Sequence, residues 1–145
     1  MNRIKRIIRP VLLASLLWTC AAACHAQLVV IVSAKNPLAS LGESDVADLY
    51  LGRTSQLPGG AQAVPIDQAE DDAQRIDFYR LVTGKSQAQL RAYWSKLIFT
   101  GRGTPPRSVA DAQAVKKLVS GSPNAIGYID KSELDSTVKA VLTLH

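Results

Sequence analysis

The sequence predicts an α/β fold, a small mixed sheet flanked by helices, with elements in the order β-α-β-α-α-α-β-β. Three observations predict it. Leu28-Val29-Val30-Ile31-Val32 is an unbroken apolar, mostly β-branched run, as in a strand buried on both faces. Between residues 43 and 121, four stretches place apolar residues at helical spacing, and each stops at a glycine. Short strand patterns then return at residues 63–66, 125–129 and 137–144.

Taken in order, the first strand ends in the loop Ser33-Ala34-Lys35-Asn36-Pro37. Glu43 and Asp45 then open a short helix whose Val46, Leu49 and Tyr50 fall at i, i+3 and i+4, with Gly52 just past its end. Thr54 to Gly60 is a loop carrying Pro58-Gly59-Gly60. Ala63-Val64-Pro65-Ile66 reads as a short strand, and Pro65, which cannot donate to a ladder, places it at an edge or near its strand's start. Asp67 to Asp72 leads into a helix through Val82, with Ile76, Phe78, Tyr79, Leu81 and Val82 as a wide apolar face and Gly84 at C′.

Ser86 and Gln89 form a capping box. Behind it Leu90, Tyr93, Trp94, Leu97 and Ile98 give the cleanest amphipathic pattern in the chain, ended by Gly101 and the Pro105-Pro106 pair. Ser108 and Asp111 repeat the capping logic before Ala112, Val115, Leu118 and Val119. In the strand Ala125 to Ile129, Gly127 suggests close backbone approach. From Thr137 to Leu144 the pattern alternates, with Val138, Ala140, Leu142 and Leu144 on one face of a last strand.

The first 26 residues read as a leader. Arg3, Lys5, Arg6 and Arg9 precede an apolar run from Val11 to Ala23, and Cys24-His25-Ala26 forms a cleavage site before Gln27. That predicts a signal peptide over 1–26, a domain over 27–145 and a periplasmic location. An uncleaved membrane anchor and a lipoprotein modified at Cys24 are the alternatives. The leader holds four basic residues and no acids, so residues 27–145 keep thirteen basic and twelve acidic residues, a net charge of +1. No basic footprint for nucleic acid remains. Both cysteines and one of the two histidines also lie in the leader, which argues against a thiol site, a histidine triad or a histidine-rich metal site. An enzyme would have to run on carboxylates alone, and no spacing singles out a pair. Neither a cofactor nor a metal is expected.

Two phrases carry a family resemblance: Val46-Ala47-Asp48-Leu49-Tyr50-Leu51-Gly52-Arg53 at the end of a helix, and Ala125-Ile126-Gly127-Tyr128-Ile129 as a late strand. Their order and spacing, with a strand and an aromatic-rich helical stretch between, resemble phosphate-type periplasmic substrate-binding proteins of ABC transporters. Tyr93-Trp94-Ser95-Lys96 and Phe99 to Pro106 look like a small single-lobe branch of that superfamily. The resemblance implies a periplasmic-binding-protein-like lobe, capture of a small oxyanion, and a membrane permease or sensor as partner. It also implies half a grip, which a second copy in a homodimer or another protein would complete. One departure stands out. Where the family typically has Arg and then Gly-Ser-Gly-Thr opening a helix, this chain has Asp67-Gln68-Ala69-Glu70-Asp71-Asp72, which supplies acids where a bound phosphate wants none. A protein-interaction lobe that has lost small-ligand binding is therefore the rival reading.

The candidate ligand-binding residues are Ser33, at the end of the first strand, and Asp67 and Gln68, in the matching place after the second. Arg102, Gly103 and Thr104 join them as an arginine in a glycine-rich turn whose N–H groups form a nest. Asp67 also reads as an ordinary acid before a helix, Glu70 to Asp72 as a helix N-terminus, and Gly101 to Thr104 as a helix cap. Tyr79, Tyr93, Trp94 and Phe99 read first as core, with an exposed docking patch as the alternative.

Overall fold

The computed structural model describes residues 26–145; the expected leader over 1–26 lies outside them except for Ala26. Strand β1 (Leu28–Ser33) is buried along its whole length, as its apolar run requires. It lies inside a five-stranded mixed sheet with the order β3-β2-β4-β1-β5, where β2 is Val64–Asp67, β3 Arg107–Ser108, β4 Ala125–Asp130 and β5 Val138–Thr143. β1 runs antiparallel to both neighbours, β4 and β5, while β2 is parallel to β4 and to β3.

Helices cover both faces. α1 (Glu43–Tyr50), α2 (Ala73–Thr83) and α3 (Gln87–Phe99) lie on the side of Leu28, Val30 and Val32, and α4 (Ala112–Gly121) on the side of Val29 and Ile31. Their ends are set by local chemistry. Asp72 caps α2 by accepting from the Gln74 N–H at 2.8 Å, and Gly84 closes that helix in the left-handed region at φ +69°. Ser86 and Gln89 form the expected capping box on α3. α4 is capped by Asp111 and not by Ser108, which sits in β3 and donates its hydroxyl to the Gln68 carbonyl at 2.8 Å.

Two further features depart from the sequence reading, the extra strand β3 and the register of β5. β3 is two residues long and forms where the chain leaves Pro105-Pro106 beside the end of β2. Pro65 lies near the start of its strand as expected, the second residue of β2, and pairs only with β4, so its missing N–H costs no ladder bond to β3. β5 does not alternate as its sequence suggests. Val30 opposes Leu142 but Ile31 opposes Ala140, so a bulge at Val141 turns Val141 inward and leaves Ala140 exposed.

The expected close approach at Gly127 is met. A Cβ there would lie 2.4 Å from Val115 Cγ1 and 3.1 Å from Val119 Cγ2, so glycine is what lets α4 seat on the sheet. α3 is less covered than its pattern suggests. Leu90 and Trp94 are buried and Tyr93 half-buried, but Ile98 is exposed and Phe99 is 92% exposed. Ile76 of α2 is exposed too, while Phe78 and Tyr79 are buried.

Candidate functional site

The ends of β2 and β4 and the start of α2 meet around one carboxylate. Asp67 is 3% exposed, and both its oxygens are hydrogen-bonded twice. Oδ1 accepts from the Gln68 N–H at 2.8 Å and the Tyr128 hydroxyl at 2.5 Å. Oδ2 accepts from the Tyr79 hydroxyl at 2.8 Å and Arg75 Nε at 3.1 Å. The strands and α2 aim these donors. Gln68 follows Asp67 on β2, Tyr128 stands on β4, and Arg75 and Tyr79 are one turn apart on α2. Gln68, 1% exposed, donates from Nε2 to the Tyr128 carbonyl and to Gln74 Oε1, while its Oε1 has no partner among the described residues.

Behind the carboxylate lies an aromatic cluster. Phe78 stacks on Tyr128 at 3.8 Å and 4°, and Tyr50 meets Phe78 edge-on at 4.7 Å. Tyr50 donates its hydroxyl to the carbonyls of Ile66 and Ile126, tying β2 to β4. Burial opposes the Arg75 charge, yet the Asp67 carboxylate and its hydrogen bond hold that guanidinium above its ordinary value. Burial first, and the Asp67 charge second, push the hydroxyls of Tyr50, Tyr79 and Tyr128 far above the ordinary tyrosine range.

Because these folded-state values lie above the unfolded one, the neutral hydroxyls stabilise the fold fully below about pH 10, and that stability is lost as pH rises beyond it. Each of the three tyrosines is expected to remove about 1.4 kcal/mol per pH unit above that point. Denaturant titrations across pH 7 to 12 check this. Tyrosinate absorbance from these three should appear together with loss of circular dichroism; its appearance in the folded chain would contradict the assignment.

The structure separates the sequence candidates. Ser33 and Asp67 do not share a site, because β1 runs against β2 and their ends lie at opposite ends of the sheet. Ser33 instead accepts from the Lys35 N–H at 3.3 Å and closes a turn. Asp67 and Gln68 do lie together, but buried and engaged with the chain itself. Part of the nest expected around Arg102 is engaged locally. The Gly101 N–H donates to the Ile98 carbonyl and the Arg102 N–H to the Leu97 carbonyl, as a helix C-cap.

Gly103 and Thr104 do reach a concavity, a groove of about 610 Å³ between the end of α1 and the start of β2. Arg53 and Arg107, the hydroxyl residues Thr54, Ser55 and Thr104, and the apolar Val64, Pro65, Pro105 and Pro106 line it; Arg102 does not. Arg53 forms an exposed pair with Asp48 at 3.1 Å, and Arg107 is in no ion pair among the described residues. Sequence reasoning missed Arg75, Tyr79 and Tyr128 as Asp67's partners. The i, i+4 spacing of Arg75 and Tyr79 on α2 was the available signal.

No family model matches the chain, and no curated protein matches it. Solved structures do. One assigned as a phosphate ABC transporter substrate-binding protein with bound phosphate, from Clostridium perfringens, is 24% identical with a TM-score of 0.64, over 79% of this chain and 44% of its own. An ABC-type phosphate transport receptor from Vibrio cholerae is 19% identical with a TM-score of 0.62, over 79% of this chain and 45% of its own. PstS from Borrelia burgdorferi is 18% identical with a TM-score of 0.52, over 72% and 40%. The chain thus spans less than half the length of the solved structures it matches. Its five-stranded mixed sheet and four flanking helices have the architecture of a single periplasmic-binding-protein-like lobe, the fold of these phosphate-type substrate-binding proteins.

Proposed function

We propose that the chain is a non-enzymatic, solute-binding-like module of the periplasm that takes a small oxyanion, such as phosphate, and works with a membrane permease or sensor. The observation that carries this reading is the groove at Gly103 and Thr104. Two arginines, Arg53 and Arg107, and three hydroxyl residues line one concavity on a lobe shared with proteins named for phosphate transport. Guanidinium groups match oxyanions in charge and in hydrogen-bond geometry.

Isothermal titration with phosphate and with sulfate tests it. The expected result is measurable heat at millimolar anion, with affinity falling at least about tenfold, or about 1.4 kcal/mol, in Arg107→Glu. Absence of heat and of any melting shift at that concentration would rule the groove out.

A second reading is a protein-interaction lobe without small-ligand binding. The Asp67 cluster favours it. The loop that stands where the family has its anion loop carries its own buried carboxylate, and each carboxylate oxygen already takes two donors. A free anion there would meet the like charge of Asp67, with Arg75 Nε and the Tyr79 and Tyr128 hydroxyls already engaged.

A further inference from the structure

Charge is unevenly distributed along residues 27–145. From Gly84 to Ala110 the chain holds five basic residues, Lys85, Arg91, Lys96, Arg102 and Arg107, and no acid. The rest of 27–145 holds eight basic and twelve acidic residues. The near-neutral total therefore hides a basic segment on an otherwise acidic domain.

α3 turns that segment into a surface. Gln89, Ala92, Lys96 and Phe99 recur at steps of three and four residues and so share one face, and all four are exposed. Beside this face, a concavity of about 490 Å³ lies between the end of α2 and α3, lined by Gly84, Lys85, Tyr93 and Lys96 among others. Lys85 sits over the Tyr93 ring at 5.4 Å, which fixes one cation at the wall. Among the described residues neither Lys85 nor Lys96 is in an ion pair. One turn beyond Lys96, Phe99 is 92% exposed at the helix end.

We propose that this face docks an acidic segment of a protein partner, whose carboxylates meet Lys85 and Lys96 and whose apolar side chain packs on Ala92 and Phe99. This rests on the second functional reading and names the chemistry of its partner. Charge complementarity selects the occupant. The chain's own residues 1–25 carry four basic residues and no acid, so they hold no carboxylate for this face. A membrane surface is a poorer match. On α3 only Ile98 and Phe99, both at the helix end, are exposed large apolar side chains, whereas interfacial helices bury a wide apolar face along their length.

The test pans the full chain against a phage-displayed random-peptide library and measures selected peptides by fluorescence anisotropy. Selected peptides are expected to combine Asp or Glu with an aromatic or aliphatic residue and to weaken as salt rises. Lys96→Glu and Phe99→Ala should each reduce affinity at least tenfold, while Lys117→Glu, on α4 across the sheet, should not. Both substitutions sit at exposed positions, and circular dichroism confirms the fold.

Four outcomes overturn the proposal: no selected peptide, peptides without acids, binding indifferent to Lys96→Glu, or Phe99-dependent uptake by phosphatidylglycerol vesicles without peptide binding. Phe99-dependent dimerisation in sedimentation would assign the face to a second copy and overturn it too. The phosphate titration separates the readings. A chain that binds phosphate but no acidic peptide loses this inference and keeps the groove, and the reverse result does the opposite.

Discussion

Replacing Asp67 with alanine is expected to lower the free energy of unfolding by about 3–5 kcal/mol, the usual cost of removing one partner from a buried ion pair. The loss has two parts. Arg75 would keep its charge in a largely buried position, and two tyrosine hydroxyls would lose their acceptor. Asparagine should do little better despite its shape. It replaces one acceptor oxygen by a donor amide among four donors.

The same geometry predicts rescue. Formate or acetate can enter the space left in Asp67→Ala and accept from Arg75, Tyr79 and Tyr128. Melting temperature should therefore rise saturably with either anion in the variant and not in the unaltered chain. If Asp67→Ala does not fold in buffer alone, refolding in formate is the readout. A variant as stable as the parent, or a variant indifferent to formate, would show that the carboxylate does not organise the cluster.

Gly127→Ala carries the second large effect, an expected loss of about 1–3 kcal/mol from overpacking. The cause is space, because the added methyl would overlap Val115 Cγ1 at 2.4 Å and press Val119 Cγ2. Both are β-branched side chains with little rotamer freedom in a helix, so α4 itself must shift. Val115→Ala should then cost less in the Gly127→Ala background than alone. A double-mutant cycle by urea denaturation measures that coupling, expected at about 0.5–3 kcal/mol. Additive losses would contradict it.

Much of the fold is legible in the sequence because its signals are local. The apolar run of β1, the Ser86 and Gln89 box and Gly84 beyond α2 are each written in a few consecutive residues, and Gly127 is a single-residue mark of the room α4 needs. What was hidden depends on pairing between distant residues. The direction of β1 is set by β4 and β5, about a hundred residues on, and that direction is what separates Ser33 from Asp67. The bulge at Val141 is a matter of register, and one extra residue exchanges the two faces of a strand. β3 is too short to leave a pattern.

The candidate site divides on the same principle. Asp67 and Gln68 were correctly placed at the end of β2, but nothing near them in sequence announces Tyr128, 61 positions away, as a donor. Gly103 and Thr104 were chosen for a nest whose first N–H groups, at Gly101 and Arg102, the helix cap engages. They line a groove for another reason, since the turn carries them past the start of β2.

The place of β1 also bears on the order in which the molecule can assemble. Both of its partners, β4 and β5, lie after residue 124, so an apolar strand near the front must wait for the last twenty or so residues before any edge of it is paired. Contacts of such long separation form late and slowly. Until they form, Leu-Val-Val-Ile-Val is a sticky segment of high β-propensity without charge, the kind that joins other chains. Shortening the chain from its C-terminal side before residue 138 would therefore leave one side of β1 open, and the expected consequence is aggregation in place of a smaller folded lobe.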